Sequence, residues 1–289
     1  MTVNKPCVLD PDDGLKVDRI RIGNYSGLLL AAYNTPAMIE GLRQFFFIGW
    51  TADTIVVRSQ DREVHCLVID QDEVIYLKRY HMTGIRPLLR TILSLNKAQK
   101  AWCIGRRLLC RGIDTPLPIA ILKRHVSSFS SEFVCITRGL SDAVDLYQAV
   151  LLVQGKNPTE QKKKKRLVKA VAQFVARLHR HNIYHGDFSA DNILVRGNGD
   201  VEEIQVYLID LDAVRTGYWI SERRRIKNLE ELGRNFLDLR AISMADRVRF
   251  LKVYMTDYTR SKDSLCKFFR KVQHRTEKRL AHFGQSFEH

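Results

Sequence analysis

The sequence predicts an α+β protein in which an N-terminal antiparallel sheet precedes a mainly helical C-terminal part, and two patterns support this. In the first half, short runs rich in β-branched residues alternate with polar turns. In the second half, apolar residues recur with the spacing of amphipathic helices. The length of 289 residues and an apolar fraction of 45% suffice for one large domain or two modest ones.

The N-terminal part is expected to hold a five-stranded sheet with one helix, preceded by an extension. Residues 1–50 are interpreted as this extension, because residues 36–48 carry apolar side chains at the spacing of a packing helix. The first three strands are expected to form an antiparallel meander, and a helix over residues 94–111 separates them from the last two. The strands are expected at residues 54–58, 64–69, 74–80, 119–123 and 133–138.

Helices are expected to dominate the C-terminal part. Thr159 is the expected N-cap of a long helix, and Ser243 with Asp246 has the spacing of a capping box. The four lysines at residues 162–165 are interpreted as a solvated helix face, with an anion-binding surface as the alternative. The helices are expected at residues 142–152, 159–179, 227–237 and 261–283, with one more after Ser243.

The charge balance favours anionic partners. Lys and Arg number 47 against 32 Asp and Glu, which gives a formal net charge of +15. Such a bias suits nucleic acid, acidic lipid or a phosphorylated glycan, and does not choose among them. Nucleic acid is not an expected partner, because no recognisable RNA- or DNA-binding motif accompanies the charge.

Cysteine spacing and apolar segments limit the protein class further. The six cysteines contain no CxxC pair, which argues against a zinc ribbon or a disulfide framework and favours reduced thiols. Residues 1–13 lack the basic start and apolar run of a secretory signal. The most apolar stretch, residues 45–50, is too short to span a bilayer, so any membrane contact is expected to be peripheral.

The segment most informative about chemistry is HGDFSADNILV at residues 185–195, followed by YLIDLD at residues 207–212. Asp187 lies five residues before the carboxamide of Asn192, and Asp210 ends the next strand. Together they predict an all-oxygen pocket of the kind that Mg²⁺ prefers when it bridges phosphates. Asp187 is then left to orient a hydroxyl group.

This arrangement resembles the H-R-D-x-x-x-x-N and D-F-G elements of protein kinases, and VIYLK at residues 74–78 resembles their third-strand lysine motif. The resemblance implies a two-lobed protein-kinase-like fold. Residues 51–138 would form a small antiparallel-sheet N-lobe with one helix, and residues 139–289 a mainly helical C-lobe.

Within that superfamily, the sequence resembles the Kdo/WaaP-type lipopolysaccharide kinases over roughly residues 54–255. The similar motifs are HGD with Gly186, VIYLKRY, GIDTPLP and LIDLDAVR. The family transfers the γ-phosphate of ATP to a Kdo or heptose hydroxyl of the lipopolysaccharide inner core, at the cytoplasmic side of the Gram-negative inner membrane. The resemblance therefore implies ATP, Mg²⁺, the core glycolipid and an anionic membrane surface as partners, with no obligate protein partner evident.

Residue by residue, the resemblance implies Lys78 on the nucleotide phosphates, Asp187 as catalytic base, and Asn192 and Asp210 as metal ligands. Two features depart from protein kinases. Between His81 and Ile113 the sequence has no Asp or Glu to pair with Lys78, so Gln99 or Asp210 is the expected substitute. The loop at residues 59–62 has no glycine, and Arg62 is expected to contact phosphate instead.

Three alternatives to a sugar kinase remain. An aminoglycoside- or choline-type phosphotransferase also carries an HGD-type loop, but the Arg-rich stretch at residues 215–225 argues against a cationic acceptor. A protein kinase would carry an A-P-E triplet after Asp210, and the sequence has none. A non-catalytic nucleotide-binding scaffold would explain why the sequence has no Asp or Glu between His81 and Ile113.

The sequence also predicts roles for one histidine, one tryptophan and a set of basic residues. His185 is expected to brace the catalytic loop rather than to transfer protons, and Trp102 is expected in the core. Basic residues are expected either as scattered solvated charge or as a patch for lipopolysaccharide phosphates or acidic headgroups. They are Arg79, Arg86, Arg90, Lys97, Lys100, Arg106, Arg107, Arg111 and residues 223–225.

Overall fold

The computed structural model divides the chain into two compact units, residues 1–141 and residues 142–289. The structure describes residues 14–49, 54–58, 62–69, 73–83, 96–127, 130–155, 157–197, 203–237, 242–256, 258 and 261–284.

The first unit is built on one antiparallel sheet with strand order β1-β2-β6-β7-β5-β4-β3. Each strand pairs antiparallel with its neighbours, and the expected meander β3-β4-β5 is confirmed. The elements are β1 (Val17–Ile22), β2 (Tyr25–Leu30), α1 (Pro36–Ile48), β3 (Ile55–Arg58), β4 (Arg62–Ile69), β5 (Glu73–Thr83), α2 (Lys97–Cys110), β6 (Pro118–Ser127) and β7 (Ser130–Arg138).

The prediction of five strands is wrong, because the sheet has seven in the described part of the chain. Strands β1 and β2 form a hairpin, and β2 pairs with β6. This close pairing depends on Gly27, where an added Cβ would overlap the carbonyl oxygen of Ile121. Residues 17–48 therefore supply two strands of the sheet in addition to the expected helix.

Helix α1 covers one face of this sheet. Its buried side chains Met38, Leu42 and Phe45 pack in one core cluster with residues of the strands, among them Ile75 and Leu77 of β5. Helix α2 packs against β5, β6 and β7, and its Trp102 is buried as expected. Because side chains alternate along a strand, Lys78 points to the face opposite Leu77.

The second unit is mainly helical and carries two small sheets, with strand orders β11-β10-β8 and β12-β9. Each predicted helix has a counterpart, but the one expected at residues 142–152 spans only Leu146–Leu151 after a strand, and the one expected at residues 227–237 spans Glu222–Arg234. The elements are β8 (Ala143–Asp145), α3 (Leu146–Leu151), α4 (Pro158–Arg180), β9 (Ile183–His185), β10 (Ile193–Arg196), β11 (Gln205–Leu208), β12 (Val214–Thr216), α5 (Glu222–Arg234), α6 (Met244–Met255) and α7 (Lys262–Gly284).

The long helix α4 begins differently from the prediction. Asn157, not Thr159, is its N-cap: the Asn157 side chain accepts a hydrogen bond of 2.8 Å from the backbone N–H of Glu160. Pro158 occupies the first helical position, where its missing N–H costs nothing. The capping box of Ser243 and Asp246 at the start of α6 is confirmed.

The interpretation of residues 162–165 as a wholly solvated face is wrong for Lys164. Its side chain is buried, and its Nζ lies 3.2 Å from a carboxylate oxygen of Asp246. Burial raises the pKa of Asp246, but hydrogen bonds from Ser243 and Lys164 outweigh it and lower the pKa overall. One lysine of the run therefore fastens α4 to α6.

The five cysteines of the described residues form no disulfide with one another. Among the same residues, no helix combines the length and the apolar character that a bilayer span requires.

Replacing Lys164 by Met is expected to lower the free energy of unfolding by about 2 kcal/mol, because the buried Asp246 carboxylate loses its countercharge on α4 and retains the pair with Arg249 of α6 at 2.7 Å. Urea denaturation measures the change. Lys165→Met is the matched control, since Lys165 is exposed on the same helix turn and its loss should cost less than about 0.5 kcal/mol. Equal costs for the two variants would contradict a stabilising role for the buried pair.

Candidate active site

The predicted site residues of the second unit lie on the loop after β9 and at the end of β11. Strand β9 pairs with β12, so the loop that starts at Gly186 runs beside the segment that follows Asp210. Gly186 is required there, because a Cβ at this position would lie 2.9 Å from the carbonyl oxygen of Ala213. This close approach favours glycine between His185 and Asp187.

His185 braces the loop through both ring nitrogens. Its Nδ1 accepts a hydrogen bond of 3.2 Å from the backbone N–H of Asp187, and its Nε2 lies 3.3 Å from the carbonyl oxygen of Ile209. The proton is therefore assigned to Nε2, which donates to Ile209. Burial lowers the pKa of His185, although hydrogen bonds and the nearby carboxylates of Asp210 and Asp187 act in the opposite direction. A neutral, fully engaged imidazole fits the predicted bracing role.

Asn228 of α5 holds the start of the same loop through the backbone of His185. Its Nδ2 donates to the carbonyl oxygen of His185 at 2.6 Å, and its Oδ1 accepts from the backbone N–H of His185 at 3.3 Å. Two helical turns later, Asn235 accepts a hydrogen bond of 2.9 Å from the backbone N–H of Ala190. Neither asparagine was predicted from the sequence as a site residue. The available signal was their seven-residue spacing, which places two amides on one helix face among leucines.

A second buried histidine extends this brace to α6. His179 Nδ1 lies 2.8 Å from the Tyr254 hydroxyl, and His179 Nε2 lies 3.3 Å from Asn228 Oδ1. Burial lowers the pKa of His179 to about 4, against a raising contribution from Asn228. The imidazole is thus neutral near pH 7, and a chain of hydrogen bonds joins Tyr254, His179, Asn228 and the His185 backbone.

The structure brings Asp187, Asn192 and Asp210 into one cluster. Asn192 Nδ2 donates to the carbonyl oxygen of Asp187 at 2.9 Å, which fixes the orientation of the carboxamide. The backbone N–H of Ile209 donates to the Asn192 carbonyl oxygen at 3.0 Å, so Asp210 follows directly on a residue bonded to both Asn192 and His185. Asp210 adopts a left-handed backbone conformation with φ of 60°, which turns the chain sharply after β11.

The donor set of this cluster is all oxygen: the Asn192 carboxamide and the Asp210 carboxylate, with the exposed Asp187 carboxylate beside them. Among the described residues, no group of three or more His, Cys, Asp or Glu side chains has the arrangement of a closed metal cage. An open pair of oxygen ligands suits Mg²⁺, which keeps waters or substrate phosphates as its remaining ligands.

Lys78 and Arg62 belong to the first unit. Lys78 lies on β5 between Val64 of β4 and Cys135 of β7, and Arg62 lies two residues from Val64 on the same face. Two cations therefore share one face of the sheet, separated by about 7–8 Å between their Cα positions. The rest of the predicted phosphate loop, residues 59–61, lies outside the described residues.

Gln99 does not fill the role expected for it as a partner of Lys78. Its Oε1 accepts from the side-chain and backbone nitrogens of Asn96, and its backbone N–H donates to Asn96 Oδ1 at 2.8 Å. These bonds form the capping box of α2. The side chain is thus occupied by the helix N-terminus.

Two members of the proposed basic patch in the first unit are internal to the fold. Arg79 forms ion pairs with Glu132 at 2.7 Å and Glu63 at 3.2 Å, and Glu132 also binds Arg124. Arg106 is buried and donates to the carbonyl oxygen of Leu15. Neither Arg79 nor Arg106 is scattered solvated charge, and neither is available to a headgroup. Arg86 and Arg90 lie outside the described residues.

The part of the chain that carries the candidate site is similar to known proteins. Residues 50–254 match the lipopolysaccharide kinase (Kdo/WaaP) family. The lipopolysaccharide core heptose(I) kinase WaaP of Escherichia coli is 26% identical over 185 residues, which cover 62% of this chain and 69% of that protein. The protein of the same name from Pseudomonas aeruginosa is 28% identical over 169 residues, which cover 58% and 62%.

The fold has a counterpart among solved structures. WaaP in complex with acyl carrier protein matches with a TM-score of 0.56 and 23% identity, covering 76% of this chain and 88% of that chain. The prediction of an α+β, protein-kinase-like fold is confirmed.

The pH dependence of stability is expected to report on His179. Its pKa of about 4 in the folded protein lies below the value of about 6.5 in the unfolded chain, so acidification protonates the unfolded chain first and destabilises the fold. Between pH 7 and pH 5 this group should account for about 2 kcal/mol.

The variant His179→Gln cannot be protonated there, so the difference in unfolding free energy between wild type and variant should narrow by about 2 kcal/mol over this range. Urea denaturation at both pH values measures it. His274→Gln, at an exposed position of α7, is the control and should show no such change. A wild-type-to-variant difference that is constant with pH would contradict the neutral, buried state of His179.

Proposed function

This chain belongs to the lipopolysaccharide kinase (Kdo/WaaP) family, and we propose that it transfers the γ-phosphate of ATP to a heptose hydroxyl of the lipopolysaccharide inner core. Family membership makes it an ATP-dependent phosphotransferase whose acceptor is an alcohol group. We propose heptose rather than Kdo as the acceptor sugar because the relatives described above are heptose(I) kinases. We place the reaction at the cytoplasmic face of the inner membrane, where the protein would bind peripherally.

One observation carries the catalytic assignment: the loop backbone at Asp187 is immobilised while its carboxylate is exposed. The backbone N–H of Asp187 donates to the neutral His185 ring, and the Asp187 carbonyl oxygen accepts from Asn192. In the described part of the chain, no hydrogen bond or ion pair engages the Asp187 carboxylate. A positioned, unengaged carboxylate is suited to accept the proton of an attacking sugar hydroxyl.

The remaining residues are assigned to the nucleotide. Asn192 Oδ1 and the Asp210 carboxylate would hold Mg²⁺, which when bound neutralises phosphate charge. Lys78 and Arg62 would bind phosphate oxygens from the first unit. Phosphoryl transfer needs mainly positioning and charge stabilisation, and these residues provide both.

Two alternative functions, a phosphotransferase with a cationic acceptor and a non-catalytic scaffold, differ from a sugar kinase in what the site should bind or turn over. A cationic acceptor is disfavoured because Arg215, Arg223 and Arg224 are exposed on the unit that carries Asp187. A non-catalytic scaffold would bind ATP without turnover, and a direct assay decides between it and a kinase.

We also propose an acyl carrier protein as a partner, which revises the expectation that no protein partner is evident. The related WaaP forms such a complex. In this chain, the second unit contains an apolar cavity of about 420 Å³ whose lining includes Val171 of α4, Leu232 of α5 and Phe250 of α6. A cavity lined mainly by aliphatic and aromatic side chains suits the acyl chain that such a carrier presents.

The variant Asp187→Asn is expected to lower the rate of phosphate transfer from Mg-ATP to purified inner core by a factor of about 100 or more, because it removes the general base. Labelled γ-phosphate measures the transfer, with casein and an aminoglycoside as parallel acceptors. Asp191→Asn is the matched control, since Asp191 is an exposed carboxylate on the same loop without an assigned role. No label in any acceptor, despite measurable ATP binding, would favour the scaffold.

Binding of the carrier is expected to depend on its acyl chain. Calorimetry should show at least about tenfold tighter binding for long-chain acyl carrier protein than for the unacylated carrier, because only the acyl chain buries apolar surface. Val171→Phe, which fills part of the cavity, should reduce this preference, and its melting temperature checks that it folds. Equal binding of both carrier forms by the wild type would contradict the proposed use of the cavity.

A further inference from the structure

A second cavity of the helical unit is lined by basic and aromatic side chains. It encloses about 580 Å³, and every charged residue in its lining is a cation. We call it the basic cavity. Its lining residues are Trp219, Ser221, Arg223, Arg224, Lys227 and Arg275.

The carboxylates around the basic cavity are already paired. Glu231 binds Lys227 at 3.2 Å, and Glu230 binds Arg275 at 3.4 Å. Glu222 pairs with Lys271 on the neighbouring helix α7. Arg223 and Arg224 are exposed, and in the described part of the chain neither guanidinium forms an ion pair. The cavity therefore has an excess of positive charge directed at solvent.

Arg225, the third member of this arginine run, has a different environment. Its guanidinium lies over the ring of Tyr258 at 4.3 Å and over the ring of Phe268, a residue of α7, at 5.7 Å. It is half-buried and does not line the cavity. Only two of the three consecutive arginines are thus available to a ligand.

The basic cavity lies next to the candidate catalytic loop. Arg224 and Lys227 lie over the ring of Tyr184 at 5.5 Å and 5.6 Å, and Tyr184 is a residue of β9. Tyr184 precedes Asp187 by three residues, so their Cα atoms are at most about 11 Å apart. A ligand that extends over a few linked sugar rings can occupy both places.

The segment that carries Trp219 is held by hydrogen bonds between residues that flank β9 and β12. Asn182 Nδ2 donates to the carbonyl oxygen of Tyr218 at 2.8 Å, and the backbone N–H of Gly217 donates to the Asn182 carbonyl oxygen. Trp219 follows directly, with 71% of its surface exposed. A large exposed indole beside arginines offers an apolar face for a sugar ring next to donors for phosphate.

We propose that the basic cavity binds a phosphate group of the acceptor glycolipid, with Arg223 and Arg224 as the phosphate ligands and Trp219 against the adjoining sugar. This inference rests on the proposed function, since it assigns the cavity to the acceptor. A concave site next to the catalytic loop favours one phosphorylated sugar over a flat membrane surface. Arginine suits the role because its planar guanidinium can donate two hydrogen bonds to one phosphate.

The test compares an acceptor glycolipid that carries its lipid phosphates with the same glycolipid after enzymatic dephosphorylation. In the double variant Arg223→Gln, Arg224→Gln, the KM for the phosphorylated acceptor is expected to rise about tenfold or more, while the KM for ATP stays unchanged. For the dephosphorylated acceptor, wild type and variant should give the same KM. Lys267→Gln with Arg270→Gln removes two exposed charges of α7 outside the cavity and is the matched control.

A binding measurement separates this inference from the proposed function. The fluorescence of Trp219 should change when the phosphorylated glycolipid is added without ATP, and Trp219→Phe should abolish the change. If the wild type transfers no phosphate but this signal is present, the proposed function fails and the site stands.

An unchanged KM for the phosphorylated acceptor in the arginine double variant would overturn the assignment of the cavity. If that variant also loses binding to vesicles of anionic phospholipid, the surface belongs to the membrane instead.

Discussion

Two hydrogen bonds between the Asn228 amide and the backbone of His185 are the constraint on which the candidate active site depends. Asn228 is almost fully buried on α5, so these bonds form away from competing water. They fix the last residue of β9, and from there the His185 ring fixes both the Asp187 backbone and the Ile209 carbonyl. The Asp187 carboxylate can therefore be exposed while hydrogen bonds hold the backbone that carries it.

The same network explains why two histidines of this unit are poorly suited to proton transfer. Every ring nitrogen of His179 and His185 faces a hydrogen-bond partner, and burial lowers the pKa of both. Their function is to satisfy buried polar groups around Asn228 and to position the loop. The Asp187 carboxylate, by contrast, is exposed to solvent.

The basic side chains of the described residues occur in two kinds of environment. Inside the units, cations are paired: Lys164 with Asp246, and Arg79 and Arg124 with the buried Glu132. Burial raises the pKa of Glu132, but hydrogen bonds from Arg79 and Tyr25 outweigh it, so the carboxylate stays ionised. The cations that remain directed at solvent beside the catalytic loop are those that an anionic acceptor can use.

By itself the sequence determined the α+β class, the order of the main strands and helices and the bounds of α1, and it pointed to the motif residues of the candidate site. These are local properties, because the period of apolar residues and the turn chemistry act over a few positions. Only the tertiary structure decided the pairing of β1 and β2 with β6, the burial of Lys164, and the roles of Asn228 and Gln99. Each of these depends on a partner distant in sequence or on competition between local hydrogen bonds, and periodicity records which face of an element is buried but not what a buried polar group binds.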